Sequence, residues 1–131
     1  MIVVDTSALL AILEEEHDAA VYAKAIAEAD APLISAASVI EVGIVMLNRH
    51  GSRALGRVNR LMQEAGFRVE SVTAQQAHQA LEAYTAYGKG QKKRAGLNYG
   101  DCFSYALAKA TGLPLLFKGH DFSETDIPSA L

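Results

Sequence analysis

The feature that most constrains this chain is the alternation of short apolar runs with longer helical segments. Ile2–Val4 predicts a first buried strand, and Pro32–Ser35, 67–72 and 114–117 predict three more. The apolar spacing between them predicts helices over residues 8–14, 18–29, 36–49, 52–65, 73–87 and 98–112. Short strands that are apolar throughout are covered on both faces, which is typical of an α/β fold with a mainly parallel sheet.

Hydroxyl side chains and glycines indicate where the predicted helices begin and end. Thr6 and Ser7 are expected to cap the first helix, and Ser52 to cap the fourth, which Gly66 ends. A last edge strand is expected near Ile127. We expect one domain over residues 1–131, because a chain of this length can bury its own core.

The composition restricts the classes of protein that the chain can belong to. The one cysteine, Cys102, excludes an intrachain disulfide framework and fits a reducing compartment. The apolar run Ile2–Val4 is too short for a signal peptide, and no run approaches the ~20 residues that span a bilayer. We therefore expect a cytoplasmic protein without a membrane partner. The net charge of −3 weighs against nucleic acid bound by charge alone, but bound cations would change the charge of an acidic site.

Acidic residues stand where the carboxyl ends of the predicted strands meet. Asp5 directly follows the first strand, and Asp121 follows the fourth after a short turn. Asp101 lies in the first turn of the helix before the fourth strand, and helix N-termini share that edge of the sheet. Glu41 is the one charged residue in the middle of an apolar predicted helix. Because sites in parallel sheets form at this edge, the four side chains can converge there.

Each of these acids also has an ordinary structural explanation. Asp5 can cap the first helix, and Asp101 has capping-box spacing from Asn98. Asp121 begins an Asp-x-x-Glu pattern that is common at helix starts, and Glu41 can face solvent on its helix. Residue spacing alone leaves both sets of explanations open.

Carboxylates that do converge would need a partner of opposite charge. Two of them ~4 Å apart repel by about 4 kcal/mol at an effective dielectric constant of ~20, so they take up protons or a cation. Oxygen-only ligands suit Mg²⁺ or Mn²⁺ rather than zinc, and the four histidines have no zinc-site spacing. Such a cation commonly acts on phosphates, because it activates water and stabilises the attacking and leaving oxygens.

Four stretches of the sequence together resemble the PIN-domain family, and within it the VapC-type toxins of type II toxin–antitoxin pairs. The likeness extends over essentially the whole chain. Its motifs are DTSAL from Asp5, Glu41 in the third helix, NYGDCFSYALA from Asn98, and LFKGHDF from Leu116.

The resemblance implies a three-layer α/β/α fold and an endoribonuclease that depends on Mg²⁺ or Mn²⁺. Family members cut RNA, often tRNA or rRNA, and stop translation. A VapB antitoxin blocks the acidic pocket with its C-terminal segment, and the toxin usually forms a homodimer. Operator DNA is bound only through the antitoxin part of the complex.

Matching the motifs position by position gives the family's first three acids as Asp5, Glu41 and Asp101. The fourth is less clear, because Gly119 replaces the first acid of the family's Asp-x-Asp-Phe run. Asp121 is then the best candidate, and Asp126 is another possible contributor. On this hypothesis Asp5 and Asp101 hold the principal cation, and Glu41 and Asp121 complete the cluster.

The resemblance also implies roles for other side chains. Thr6, Ser7 and Ser104 resemble hydroxyls near the cation, and Asn98 either orients a carboxylate or simply caps its helix. The basic stretch between the predicted fifth and sixth helices is either a solvated loop or a grip on RNA phosphates. Its cations are Lys89, Lys92, Lys93 and Arg94.

Other functions fit the sequence less well. A phospho-acceptor receiver domain needs paired acids after the first strand, where Asp5 is followed by Thr6. A phosphatase of the haloacid-dehalogenase kind needs a second aspartate where Ser7 stands. The remaining alternative is a PIN-like module that binds RNA or protein without cleaving, since acids alone do not prove turnover.

Overall fold

The structure, a computed structural model, describes residues 1–90 and 96–131. Its strands are β1 (Ile2–Val4), β2 (Pro32–Ser35), β3 (Arg68–Glu70) and β4 (Leu115–Leu116). These described strands form one sheet in the order β3-β2-β1-β4, and every neighbouring pair is parallel. The predicted α/β fold with a parallel sheet is therefore confirmed.

Helices connect these strands with bounds close to those predicted. They are α1 (Thr6–Leu13), α2 (Ala19–Glu28), α3 (Ala36–His50), α4 (Arg53–Glu64), α5 (Ala74–Tyr87) and α6 (Tyr99–Thr111). Of the two caps predicted for α1, Asp5 is confirmed, and the pair Thr6 and Ser7 is wrong. Asp5 is the N-cap and accepts the Ser7 N–H, whereas Thr6 and Ser7 lie inside the first turn. Ser52 precedes α4 as predicted, but its side chain makes no capping hydrogen bond.

Successive residues of the short strands enter two different cores, one on each face of the sheet. Val3, Leu33 and Leu115 pack in a cluster with buried side chains of α5 and α6. The residues that follow them, Val4, Ile34 and Leu116, pack in a second cluster with buried side chains of α1, α2, α3 and α4. Because side chains alternate along a strand, this arrangement gives the expected three layers of helix, sheet and helix.

The C-terminal segment lies beside β4 without forming the predicted edge strand. Leu115 N–H donates to the Pro128 carbonyl, and Ala130 N–H donates to the Leu115 carbonyl, each at 2.9 Å. The pairing amounts to one isolated parallel bridge between Leu115 and Ser129, so the strand expected near Ile127 is wrong. Among the described residues, no helix is long and apolar enough to cross a membrane.

Candidate active site

Asp5 is a buried carboxylate at the end of an interior strand, with 3% of its surface exposed. Its Oδ2 accepts the Ser7 N–H at 3.0 Å and the Ser7 hydroxyl at 2.7 Å. Its Oδ1 accepts the Ser104 hydroxyl of α6 at 2.5 Å. Burial raises the pKa of Asp5, although the hydrogen bonds from Ser104 and Ser7 oppose the shift. The sequence thus places a charge where the fold makes charge costly.

Asp101 stands in the first turn of α6 and completes a capping box. Asp101 N–H donates to Asn98 Oδ1 at 2.9 Å, and Asn98 N–H donates to Asp101 Oδ2 at 3.0 Å. Burial, together with the negative charges of Asp5 and Asp121, raises the pKa of Asp101 to about 8, while the Asn98 N–H opposes this. The cap and the acidic cluster are therefore two properties of the same carboxylate.

Asp121 approaches the cluster from the segment after β4. It is exposed, and its negative charge acts on Asp101 to raise the pKa of that residue. Residues 121–127 form turns and bends, so the predicted Asp-x-x-Glu cap has no helix to begin. The charge of Asp5 acts on Asp101 in the same direction. Asp5, Asp101 and Asp121 thus form a linked group of acids.

Glu41 projects from α3 toward α1 and α6. Its Oε1 accepts the Thr6 hydroxyl at 2.7 Å, and its carboxylate lies against the backbone of Gly100. The side chain is half-buried rather than directed into solvent. Because Thr6 directly follows Asp5 and Gly100 directly precedes Asp101, Glu41 reaches the same edge of the sheet as the other acids.

Ser7 connects Asp5 to the end of β4 through a residue that sequence reasoning did not assign to the site. The Ser7 hydroxyl accepts the Lys118 N–H at 2.9 Å while it donates to Asp5. The Lys118 ammonium group pairs with Glu16 at 2.6 Å and Asp18 at 2.9 Å, both in the α1–α2 connection. The position of Lys118 just beyond the fourth strand was the one available signal.

The buried hydroxyl of Ser38 in α3 contacts Ser104, the residue that donates to Asp5. Ser104 is fully buried, and its Oγ lies 3.4 Å from that of Ser38, which is itself 1% exposed. Ser38 is three residues before Glu41, so both side chains lie on one face of α3. Sequence reasoning missed Ser38. A small polar residue on the same helix face as the lone acid is the signal that could have found it.

Asp126, the other candidate for the fourth acid, has different partners. Its Oδ1 accepts the Tyr105 hydroxyl at 2.5 Å, and its Oδ2 pairs with the Lys109 ammonium group at 2.6 Å. Burial acts to raise the pKa of Asp126, but the hydrogen bonds from Lys109 and Tyr105 outweigh it and lower that pKa. Both oxygens are therefore already engaged by side chains of α6.

Of the four basic residues predicted to contact RNA, the structure describes only Lys89. Lys89 is exposed, and its backbone N–H donates to the Leu97 carbonyl at 2.7 Å. Lys92, Lys93 and Arg94 lie outside the described residues. Their part in binding RNA stays a prediction.

The donor set of the acidic edge suits a hard divalent cation. Within residues 1–90 and 96–131, no three Asp, Glu, His or Cys side chains stand close enough together to hold a metal ion as they lie. The charges of Asp5 and Asp121 nevertheless act on Asp101, and concentrated negative charge favours uptake of a proton or a cation. Oxygen-only donors match Mg²⁺ or Mn²⁺. Asp5, Glu41, Asp101 and Asp121 are thus the candidate ligands, and they would have to draw closer together to bind one.

The parallel sheet between two helical layers, with acids at the carboxyl ends of its strands, defines the class of the protein. The family model described as PIN domain matches residues 2–128. The chain is 49% identical over 129 residues to Ribonuclease VapC28 of Mycobacterium tuberculosis, covering 98% of this chain and 97% of that protein. The chain therefore belongs to the PIN-domain family and, within it, to the VapC ribonucleases.

Solved structures share the fold at lower identity. The crystal structure of VapC20 from Mycobacterium tuberculosis, described as a sarcin–ricin loop cleaving toxin, matches with a TM-score of 0.79. It is 22% identical and covers 97% of this chain and 96% of that one. A toxin–antitoxin complex from Klebsiella pneumoniae matches with a TM-score of 0.72 and 18% identity, over 96% and 93% of the two chains. These likenesses establish the shared fold.

Asp101→Asn should change how the stability of the cation-free protein depends on pH. The pKa of Asp101 rises from 3.8 to about 8 on folding, so the folded state binds this proton more tightly. Stability contributed by that proton is therefore lost as pH rises through this interval. We expect the unfolding temperature in EDTA to fall between pH 5 and pH 8, and to fall less in Asp101→Asn. Equal decreases in the two proteins would contradict the assigned shift.

Proposed function

We propose that this chain is an endoribonuclease toxin that uses Mg²⁺ or Mn²⁺ at the Asp5–Asp101 edge to hydrolyse RNA. The observation that carries the proposal is the linkage of Asp5, Asp101 and Asp121 into one partly buried acidic group. The 49% identity of the chain to Ribonuclease VapC28 supports RNA as the substrate of that group. Further support comes from Glu41, whose hydrogen bond with Thr6 brings a fourth carboxylate to the same edge.

The residues of this edge have two roles: some orient a carboxylate, and others set the pKa of one. Ser7 and Ser104 donate to the two oxygens of Asp5, so its carboxylate stays oriented for a ligand without having to reorganise. Burial and the neighbouring negative charges raise the pKa of Asp101, so this residue exchanges a proton for the cation when the cation binds. When bound, the cation supplies charge that polarises the phosphate and lowers the pKa of water.

Water attack determines the chemistry of the products. The phosphorus is attacked in line, and the 3′ oxygen leaves, so the products carry 5′-phosphate and 3′-hydroxyl ends. Asp5 and Asp101 hold the cation, and Glu41 and Asp121 complete its surroundings. Lys89, Lys92, Lys93 and Arg94 bind RNA phosphates, and the substrate is a structured RNA such as tRNA or rRNA.

The partners proposed for the chain follow from its kinship. A VapB-type antitoxin neutralises it by placing a C-terminal segment in the acidic pocket, and operator DNA is bound only through that antitoxin. The toxin acts in the cytoplasm, where translation takes place. Membership of the VapC ribonucleases supports this assignment.

A homodimer is supported by an apolar surface formed by α3, α5 and α6. Cavities of about 310 Å³ and 480 Å³ are both lined by Tyr99 and Phe103, whose rings meet edge to face. Large exposed apolar patches are typical of protein interfaces. The most exposed side chains of this surface are Ile40 at 62%, Ile44 at 51%, Leu81 at 69% and Tyr99 at 79%.

Asp101→Asn should abolish RNA cleavage while the fold survives. The substitution keeps the shape and the capping acceptor but removes the charge that holds the cation. We expect at least a ~1,000-fold lower cleavage rate, which corresponds to about 4 kcal/mol of lost transition-state stabilisation. Mapping of RNA 5′ ends after expression, with Asp5→Asn as a second inactive control, measures this. Products with 2′,3′-cyclic phosphate ends would refute water attack, and full activity of Asp101→Asn would favour a module that binds without cleaving.

A matched pair of variants tests the choice of the fourth acid. Asp121→Asn should lower cleavage more than Asp126→Asn, because the charge of Asp121 acts on Asp101 whereas Asp126 is held by Tyr105 and Lys109. The reverse order would make Asp126 the fourth acid.

Ile44→Asp should convert the proposed dimer into a monomer. A buried charge at the centre of an apolar interface is left unpaired, so the dimer dissociation constant should rise at least ~100-fold. Light scattering coupled to gel filtration measures the mass. Val21→Asp on α2 is the control, because Val21 is exposed to 50%, close to the 51% of Ile44. A monomeric unaltered chain, or dissociation by the control instead, would disprove this interface.

A further inference from the structure

Gly100 lies where a side chain would collide with the carboxylate of Glu41. A Cβ built on Gly100 would lie 2.2 Å from Glu41 Oε2 and 2.8 Å from both Glu41 Cδ and Glu41 Oε1. Nonbonded heavy atoms pack at roughly 3.5 Å or more. All three atoms of the carboxylate group therefore occupy space that any other residue at position 100 would claim.

The Glu41 carboxylate is fixed on its opposite side as well. Thr6 donates its hydroxyl to Glu41 Oε1 at 2.7 Å, and Thr6 is 7% exposed in the first turn of α1. The carboxylate is thus held between α1 and the start of α6. A shift that clears a Cβ on Gly100 would move Oε1 away from its donor.

The backbone gives no separate reason for a glycine at this position. Gly100 lies in the first turn of α6 and is not among the glycines with positive φ, such as Gly51, Gly66 and Gly112. Glycine is a poor helix former, so its presence in the helix weakens α6 slightly. The close approach of Glu41 is the physical reason that remains for it.

We propose that Gly100 is a positioning residue for the acidic edge: the absence of a side chain lets Glu41 lie beside Asp101. This role rests on the proposed cation site, because it matters only if Glu41 serves there. Gly100 itself touches neither cation nor RNA. It acts by leaving room for the carboxylate of Glu41, which extends from α3.

The surroundings indicate that a substitution would displace Glu41 rather than disrupt the fold. The atoms that a Cβ would meet are the end of a flexible side chain. A cavity of about 310 Å³ borders both residues and is lined also by Ile40, Ile44 and Phe103. The displaced carboxylate can turn into this cavity, away from Thr6.

Gly100→Ala tests the role through Mn²⁺ binding by the metal-free protein, measured by calorimetry. We expect the dissociation constant for Mn²⁺ to rise at least ~10-fold, the size of effect seen when groups that orient metal ligands are removed. The unfolding temperature in EDTA should be unchanged or higher, since alanine favours the helix. Gly56→Ala in α4 is the matched control, because a Cβ there meets nothing within 4 Å. It should bind Mn²⁺ as the unaltered chain does.

A double-mutant cycle identifies Glu41 as the residue through which Gly100 acts. In a Glu41→Ala background, Gly100→Ala should weaken Mn²⁺ binding no further, because no carboxylate is left to displace. In a Glu41→Asp background, Gly100→Ala should weaken Mn²⁺ binding less than it does in the unaltered chain, because the shorter side chain lies farther from position 100. If Gly100→Ala fails to fold, the double variant with Glu41→Ala must fold.

The outcomes separate this role from the cation site itself. If the unaltered chain binds Mn²⁺ and Gly100→Ala binds it equally well, the positioning role is overturned and the site stands. The same holds if Gly100→Ala weakens binding equally with and without the Glu41 carboxylate, or if the double variant does not fold. Failure of the unaltered chain to bind Mn²⁺ would overturn the cation site and this role with it.

Discussion

The burial of the Asp5 carboxylate is the constraint on which the rest of the site depends. A carboxyl group with 3% exposure needs hydrogen-bond partners for both oxygens, and they come from Ser7 in α1 and Ser104 in α6. Ser7 in turn accepts the Lys118 N–H, which ties the end of β4 to the same carboxylate. One buried charge therefore organises the first helix, the last helix and the strand end between them.

Helix capping and acidic function act together in this structure. Asp5 caps α1 and Asp101 completes the capping box of α6, so both carboxylates are fixed by the local geometry of helix N-termini. In a parallel sheet those N-termini lie at the carboxyl ends of the strands, so capping alone brings the acids to one edge. Burial, together with the remaining repulsion from Asp5 and Asp121, raises the pKa of Asp101, and a cation would oppose that shift.

The sequence predicted what depends on periodicity and chain order. The strands, the helices and the edge shared by Asp5 and Asp101 all follow from local patterns in a parallel sheet. Contacts between layers did not follow, because the approach of Ser38 to Ser104 and of Glu41 to Gly100 depends on how α3 packs against α6. Spacing alone left both Asp5 and the pair Thr6 and Ser7 as possible caps of α1, and the backbone geometry decides for Asp5. The expected strand near Ile127 reduces to one bridge.

The measurement that tests the central claim most directly is anomalous diffraction from crystals grown with Mn²⁺. The account predicts an anomalous peak about 2–2.5 Å from carboxylate oxygens of both Asp5 and Asp101, with Glu41 and Asp121 around it. The peak should vanish in crystals of Asp5→Asn. A Mn²⁺ peak that contacts neither Asp5 nor Asp101, or one that survives unchanged in Asp5→Asn, would contradict the assignment of this edge as the catalytic cation site.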